Sequence, residues 1–459
     1  MKTTTIAAIA TPIGNGGVGI IRISGPESLD ILLRCFNKKK SEIKPRYAVF
    51  GTVSTGDFTD EVLVLYFPGP NSFTGENVVE IQAHGGAFLL QKLLEHILTL
   101  GATMAAPGEF SKRSFLNGKM SLGQAESIMD KIAAECESQL AAVSLVRQGA
   151  LHEKLFAMEK ELVNALAQIE ATLDHPEDDI EHTTMSAIKP KLEKIHDSIN
   201  CLIVSANEGR IMAHGIQVAV VGRPNVGKSS LFNAIINRQR SIVTDIAGTT
   251  TDTVSEAILY KGTKLVFNDT AGIRCDACSV VECEGIHRTK KVLDDCDIVL
   301  AIFDGSAPPT KEDEEILATL KGKEVIFALN KADLPSFNAS SIAWKTPRYT
   351  TVCTSALKYE NIDKLKELIY KSVINKVQKE KTTRLAKKDN AIITSLRHLQ
   401  ELLHARESLC QVLNNSCVPS LDMVATDLTR ALEHIGNISG TRVSDAVIDE
   451  IFSQFCLGK

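Results

Sequence analysis

The chain has 459 residues and a net charge of −5, from 51 Lys plus Arg against 56 Asp plus Glu. At ~150 residues per domain the length points to about three domains, and 44% hydrophobic with 23% charged residues excludes disorder and collagen-like repeats. The acidic balance excludes a broadly basic nucleic-acid binder, so any RNA site must be local. Eleven cysteines are too sparse for a disulfide scaffold, their odd number leaves at least one unpaired, and reduced thiols are the simpler expectation. Met1 to Ile13 has no apolar core followed by a cleavage site. The longest apolar runs are strand length, so a cytoplasmic protein that does not use a membrane is expected.

Residues 1–118 read as mixed α/β. Val18–Ser24 and Glu61–Phe67 have strand composition, and Phe88–Leu100 reads as a helix ended by Gly101. From Leu151 to Ile169 apolar residues recur at helical spacing. Pro176, in Asp174-His-Pro-Glu-Asp-Asp179, should stop that helix. A further helix, about 188–208, leads to Gly209 and Gly215. From Ile216 the rhythm is strand, loop, helix, with strands expected at Ile216–Val221, Lys264–Asn268, Asp297–Phe303, Glu324–Leu329 and Tyr349–Cys353. That spacing predicts a doubly wound, mostly parallel sheet ending near Lys376. Beyond it the chain is helical again, through Leu396, Leu403, Leu421 and Leu432.

Each flanking helical stretch has one apolar stripe to bury. One bundle made of both, with the α/β domain inserted, is the economical solution. The expected organisation is 1–118, then helical 119–214, then α/β 215–377, then helical 378–459.

Gly222-Arg-Pro-Asn-Val-Gly227-Lys228-Ser229 matches G-x-x-x-x-G-K-[ST] between a strand and a helix expected near Ser229. Backbone N–H groups would face phosphates at the helix N-terminus. Lys228 would contact the β- and γ-phosphates and Ser229 would hold Mg²⁺. Asp269-Thr-Ala-Gly272 follows the second of these strands: Asp269 would support Mg²⁺ and the Gly272 N–H would sense the γ-phosphate. Gly248-Thr249-Thr250 lies where a switch loop supplies a Thr to Mg²⁺. Asn330-Lys331-Ala-Asp333 ends a later strand. A carboxylate at Asp333 can accept two hydrogen bonds from guanine, which adenine cannot offer. Ser355-Ala356 fits a base-contacting loop. This order of motifs specifies a GTP-hydrolysing enzyme. Ile273 stands where Ras-type GTPases carry a water-orienting Gln, so another group must orient the water.

Together with Gly16-Gly-Val-Gly19-Ile-Ile-Arg22, Pro68-Gly-Pro-Asn71-Ser-Phe-Thr-Gly-Glu76, Glu80-Ile-Gln-Ala-His84-Gly-Gly86, Pro107-Gly-Glu-Phe110, Phe115-Leu-Asn-Gly-Lys119 and the terminal Phe455-Cys456-Leu457-Gly458-Lys459, these motifs resemble the MnmE (TrmE) family of tRNA-modification GTPases over essentially the whole chain. The resemblance implies an N-terminal folate-binding and dimerisation domain, a GTPase domain inserted into a helical domain, and a homodimer. It implies addition of a carboxymethylaminomethyl or aminomethyl group at C5 of wobble uridine in certain tRNAs. The implied partner is the FAD-dependent MnmG (GidA), and the implied one-carbon donor is a tetrahydrofolate derivative, 5-formyl- or methylene-tetrahydrofolate. It also implies K⁺-assisted hydrolysis with approach of two GTPase domains.

Carried over by residue, the resemblance places K⁺ on Asn225, Thr244, Ile246 and Thr249. Mg²⁺ falls on Ser229 and Thr250. GTP contacts fall on Asn225, Gly227, Lys228, Ser229, Ser230, Thr244, Thr249, Thr250, Asp269, Gly272, Asn330, Lys331, Asp333, Ser355 and Ala356. Lys228 and Glu282 are expected to be catalytic, Glu282 by orienting the attacking water; Glu284 is the near alternative. Arg22, Glu80, Lys119 and Lys459 match folate-contacting positions, and Cys456 is a candidate nucleophile. Departures from the family pattern are Thr251 for a usual Arg, Ser121 for Asp and His175 for Phe.

Several features have competing readings. Gly14-Asn-Gly16-Gly-Val-Gly19 fits a dinucleotide pattern, but a strand rather than a helix is expected after it. Cys275, Cys278 and Cys283 have no second metal-ligand pair, which favours incidental thiols over zinc. Cys456 is either a reactive thiol or a small apolar anchor. His84 reads as a packed turn residue. Lys376–Lys388 carries six basic residues and one acid, either facing tRNA phosphates or forming a solvated helix face. The rival functions are a ribosome-assembly GTPase and a folate-dependent formyltransferase regulated by GTP.

Overall fold

The computed structural model describes residues 4–174, 181–237, 255–269, 292–338, 350–384, 391–414 and 420–459. It divides into two compact units. One comprises 1–132, 146–196 and 401–459; the other comprises 133–145 and 197–400.

The first unit contains a six-stranded sheet of β1 (Ile6–Ile9), β2 (Gly16–Ser24), β3 (Val49–Ser54), β4 (Thr59–Phe67), β5 (Val78–Gly85) and β6 (Thr103–Met104). Their spatial order is β3-β4-β5-β2-β1-β6. All pairs are antiparallel except β1 with β6. Period-2 alternation explains the layering. Ile21, Ile23, Val79 and Ile81 pack with Ile31, Leu32, Leu93 and Ile97 of the helices Ser28–Cys35 and Ala87–Thr99. Gly19 permits this approach, since a Cβ there would stand 2.2 Å from Leu90 Cδ1. β2 is a strand from Gly16 to Ser24, so the dinucleotide reading fails on structure as it did on context.

The helix Ala150–Asp174 packs on the helix Leu421–Ser439. Leu155, Leu162, Leu428 and Leu432 are buried and contribute about 1.5–3 kcal/mol each. Buried Glu159 accepts hydrogen bonds from the hydroxyls of Ser439 and Thr441. Desolvating that carboxylate offsets most of what those bonds contribute. The apolar seam therefore holds the pair, and the polar contact fixes its register.

The second unit is a sheet of β7 (Ile216–Val221), β8 (Ser255–Tyr260), β9 (Thr263–Asp269), β10 (Ile298–Asp304), β11 (Val325–Asn330) and β12 (Thr350–Cys353), in the order β12-β11-β10-β7-β9-β8. Four of its pairings are parallel. Val218, Val220, Leu300 and Ile302 face one side with Leu231, Leu365 and Ile369. Ala219, Val221, Val299 and Phe303 face the other with Leu320. Both faces are buried, which is why these strands read as unbroken apolar runs.

Two expectations are corrected. β8 was not anticipated and pairs antiparallel with β9 through a hairpin at Lys261-Gly262, φ 50° and 74°, a type I′ geometry. The helix expected over 188–208 runs from Glu181 to His214, through Pro190 and Gly209. Gly209 does not end it. A Cβ there would stand 2.1 Å from the Ile393 carbonyl oxygen, so the glycine serves close packing.

Candidate functional sites

In the second unit the site lies at the carboxyl ends of β7, β11 and β12, where open α/β sheets bind ligands. The loop after β7 needs special backbone conformations. Gly227 has φ +92°, and a Cβ there would stand 2.3 Å from Asn330 Nδ2. Asn225 has φ 62°, a left-handed geometry that Asn tolerates better than most residues. Lys228 opens the helix Lys228–Asn237 and donates from Nζ to the carbonyls of Gly222 (2.6 Å) and Arg223 (2.9 Å). Ser229 and Ser230 are exposed in its first turn.

Asn330 is buried, donates from Nδ2 to the Val226 carbonyl (3.0 Å) and accepts from the Ala356 N–H (3.2 Å). It ties the loop after β7 to the loop after β12. Ser355 Oγ donates to Asp333 Oδ1 (2.6 Å) and accepts from the Lys358 N–H (3.1 Å). The Ser355 hydroxyl holds the Asp333 carboxyl below its ordinary value, so Asp333 is an ionised acceptor at neutral pH. Lys331 Nζ meets Asp304 Oδ2 at 2.6 Å. Burial acts to raise the Asp304 value, but Lys331 and Ser306 together bring it below the ordinary one.

Arg223 Nε approaches Asp313 Oδ2 at 3.3 Å, and that oxygen also accepts from the Thr310 N–H and hydroxyl, each at 3.0 Å. Asp304 and Asp313 were not singled out from sequence; Asp304 ends the apolar run of β10, which was its available signal.

In the first unit Arg22 and Glu80 are register partners on β2 and β5, on the sheet face opposite the helices. Arg22 donates from Nε to Glu80 Oε1 (2.9 Å) and from Nη1 to the Gly458 carbonyl (3.2 Å). Its guanidinium lies 5.5 Å from the Phe73 ring centroid and 5.7 Å from that of Phe110, within cation–π range. Neither phenylalanine was assigned a role from sequence, although both lie in the motif blocks.

The chain terminus is docked through its backbone. The Gly108 N–H donates to the Cys456 carbonyl (3.4 Å) and the Phe110 N–H to the Lys459 carbonyl (3.1 Å). Gly458 has φ +84°, and a Cβ there would stand 2.3 Å from the Ile9 carbonyl oxygen. Phe455 and Gly458 are buried while Cys456 is exposed. The apolar-anchor reading of Cys456 is thus overturned: its neighbours anchor the tail and its thiol meets solvent. Arg22, Glu80 and Lys459 come together at the docked tail. Lys119 is exposed, and its Cε lies 3.4 Å from where a Cβ on Gly75 would stand.

His84 is corrected too. It lies on β5 rather than in a turn, with Nδ1 2.6 Å from Asp60 Oδ1 and its side chain 67% exposed.

Thr244, Ile246, Thr249, Thr250, Thr251, Gly272, Ile273, Glu282 and Glu284, with Cys275, Cys278 and Cys283, lie outside the described residues, as do His175 and Pro176. Asp269 ends β9. The seven described cysteines are free, and burial pushes the Cys35 thiol up to about 11. Among the described residues no group of three His, Cys, Asp or Glu is placed to hold a metal. No helix there is long and apolar enough to cross a membrane.

A family model of the MnmE helical domain matches residues 122–456, and one of the GTP-binding protein TrmE N-terminus matches residues 5–119. The tRNA modification GTPase MnmE of Carboxydothermus hydrogenoformans is 38% identical over 475 residues, covering 100% of both chains. That of Thermotoga petrophila is 39% identical over 461 residues, covering 99% of this chain and 100% of that one. That of Streptococcus thermophilus is 37% identical over 460 residues, covering 99% and 98%.

Proposed function

The chain belongs to the MnmE family of tRNA modification GTPases, and from that premise we propose that it hydrolyses GTP while helping to modify C5 of wobble uridine. The observation that carries the reading is the linkage of phosphate loop, Asn330 and the Asp333–Ser355 pair at one sheet edge. Lys228 and Ser229 face the phosphates and Mg²⁺, with Thr250 and Asp269 completing the metal site. Asp333 accepts the guanine N1–H and exocyclic amine. Asn225 would hold a K⁺ together with Thr244, Ile246 and Thr249, and a cation there would supply positive charge against that developing between the phosphates. Glu282 orients the attacking water.

The second site takes a tetrahydrofolate derivative, which supplies the carbon unit. A pterin presents donors and acceptors together, and the Arg22–Glu80 pair between Phe73 and Phe110 offers the matching groups and ring faces. Lys119 and Lys459 suit the carboxylates of its glutamate tail. Cys456 is held beside this site as a candidate nucleophile. The addition of a carboxymethylaminomethyl or aminomethyl group is shared with the FAD-dependent MnmG. Residues 1–118 form the folate and dimerisation domain, and 215–377 form the GTPase domain within the helical residues 119–214 and 378–459.

A homodimer fits the sheet face opposite the helices, where Val18, Phe50 and Leu63 are 60%, 61% and 41% exposed. Register pairs Phe50 with Leu63, so the patch is contiguous across two strands.

Hydrolysis measured in K⁺ and then in Na⁺ tests the cation site. The rate should fall roughly tenfold or more in Na⁺, and equal rates would remove K⁺ from the mechanism.

A further inference from the structure

Lys38, Lys39, Lys40, Lys44 and Arg46 fall within nine residues that include one acid, Glu42. In a chain of net charge −5 this is a strong local excess of positive charge. The segment joins the helix Ser28–Cys35 to β3, the edge strand of the first sheet.

It is a built loop. Phe36 and Ile43 anchor it in the core. Lys40–Glu42 form one tight helical turn, closed by the Lys39 N–H on Glu42 Oε2 (2.8 Å) and the Glu42 N–H on the Lys39 carbonyl (2.9 Å). Arg46 has φ 62° and donates from its N–H to the Tyr66 carbonyl (2.8 Å). Lys39, Lys40, Lys44, Arg46 and Tyr47 are all exposed, Tyr47 by 67%. Lys38 pairs loosely with Glu42 at 3.6 Å. Lys39, Lys40, Lys44 and Arg46 have no ion pair among the described residues.

We infer that this loop is a docking site for the phosphate backbone of the tRNA substrate; the inference rests on the tRNA-modification reading and adds the surface that holds the RNA. A preformed row of unneutralised cations gains affinity for a polyanion by releasing its condensed counterions. The exposed Tyr47 ring beside them can stack on an unpaired base, which an acidic protein partner does not require. The loop is also connected to the one-carbon site. Arg46 Nη2 donates to the Asn71 carbonyl at 2.6 Å. Two residues on, Phe73 lies over Arg22. RNA held here is tethered beside the segment that brings Phe73 onto Arg22.

The test measures binding of fluorescein-labelled tRNA to the full-length protein by anisotropy over a range of KCl concentrations. Lys39→Glu, Lys40→Glu and Lys44→Glu combined should weaken binding about tenfold or more. They should also make the slope of log affinity against log salt shallower by about 2 to 3. The control carries the same charge change at exposed helical lysines of the same unit, Lys160→Glu, Lys189→Glu and Lys194→Glu, and should bind nearly as the unaltered protein does. The neutral variant Lys39→Gln, Lys40→Gln and Lys44→Gln should move in the same direction by less. GTP hydrolysis and melting temperature report whether each variant is folded.

Equal loss in the loop variant and the control would reduce the effect to overall charge and overturn the inference. So would an unchanged salt slope, or a loop variant that keeps tRNA but loses binding to MnmG. If the unaltered protein fails to bind tRNA at all, the direct tRNA contact in the functional reading fails with it.

Discussion

The nucleotide site and the Arg22–Glu80 site are built in opposite ways. The first uses consecutive residues: the phosphate loop is one stretch of backbone, and Asn330 with Asp333 is another. Phosphate recognition by N–H groups demands contiguity, because only neighbouring residues can aim their backbones at one anion. The second site draws Arg22, Glu80, Phe110 and Gly458 from four distant places. Strand register and a docked terminus bring them together. A site of the first kind is written in local spacing, whereas one of the second kind depends on tertiary structure.

Substitutions at the two sites should therefore have separate effects. Asp333→Asn should cause the largest change. It replaces an acceptor pair with one donor and one acceptor, so GTP affinity should fall roughly 100-fold or more. Xanthosine triphosphate, whose carbonyl replaces the guanine amine, should become the better substrate. Competition binding of the two nucleotides checks this, and an unchanged preference would remove Asp333 from base recognition.

Gly458→Ala should act on the other site alone. Its methyl group cannot stand 2.3 Å from the Ile9 carbonyl, so the tail must shift and the hydrogen bond from Arg22 to the Gly458 carbonyl is lost. Binding of 5-formyl-tetrahydrofolate should weaken about tenfold, the last four residues should become sensitive to carboxypeptidase, and GTP hydrolysis should hold. If titration calorimetry gave full folate affinity with a released tail, the two would be independent.

The smallest effect is expected at Glu367. Lys261, then Tyr260 and Lys371, hold its carboxyl at about 2, against 4.5 for the free group. A lowered folded value stabilises above pH ~4.5, and that contribution is lost as pH falls toward 2. Glu367→Gln should lower the melting temperature of the GTPase unit by about 1–3 °C at pH 7. The difference from the unaltered protein should shrink below pH 4.5. A difference that persisted there would assign the effect to packing.

The same contrast explains what the amino-acid pattern revealed. β7, β10 and β11 were legible because burial on both faces produces unbroken apolar runs. β8 is an edge strand with one fully buried large residue, Ile258, and gave no such run. β5 alternates as Val79-Glu-Ile-Gln-Ala-His84, a usable strand signal that its motif residues overshadowed. Arg22, Glu80 and Lys459 were reached through family resemblance. No spacing rule predicts that residue 22 meets residue 458. Asp313 carried a local signal, the Thr310-x-x-Asp313 capping pair, but its contact with Arg223 depends on where that helix packs.

The central claim is that one chain carries two separable sites, with Cys456 presented at the second. Cys456→Ser, in which one atom changes and the backbone docking is kept, tests it most directly. Wobble nucleosides from cells carrying only this variant are analysed by mass spectrometry, and GTP hydrolysis is measured on the purified protein. Hydrolysis at the unaltered rate with no C5-modified uridine is the predicted result. Modified uridine at the normal level would contradict it.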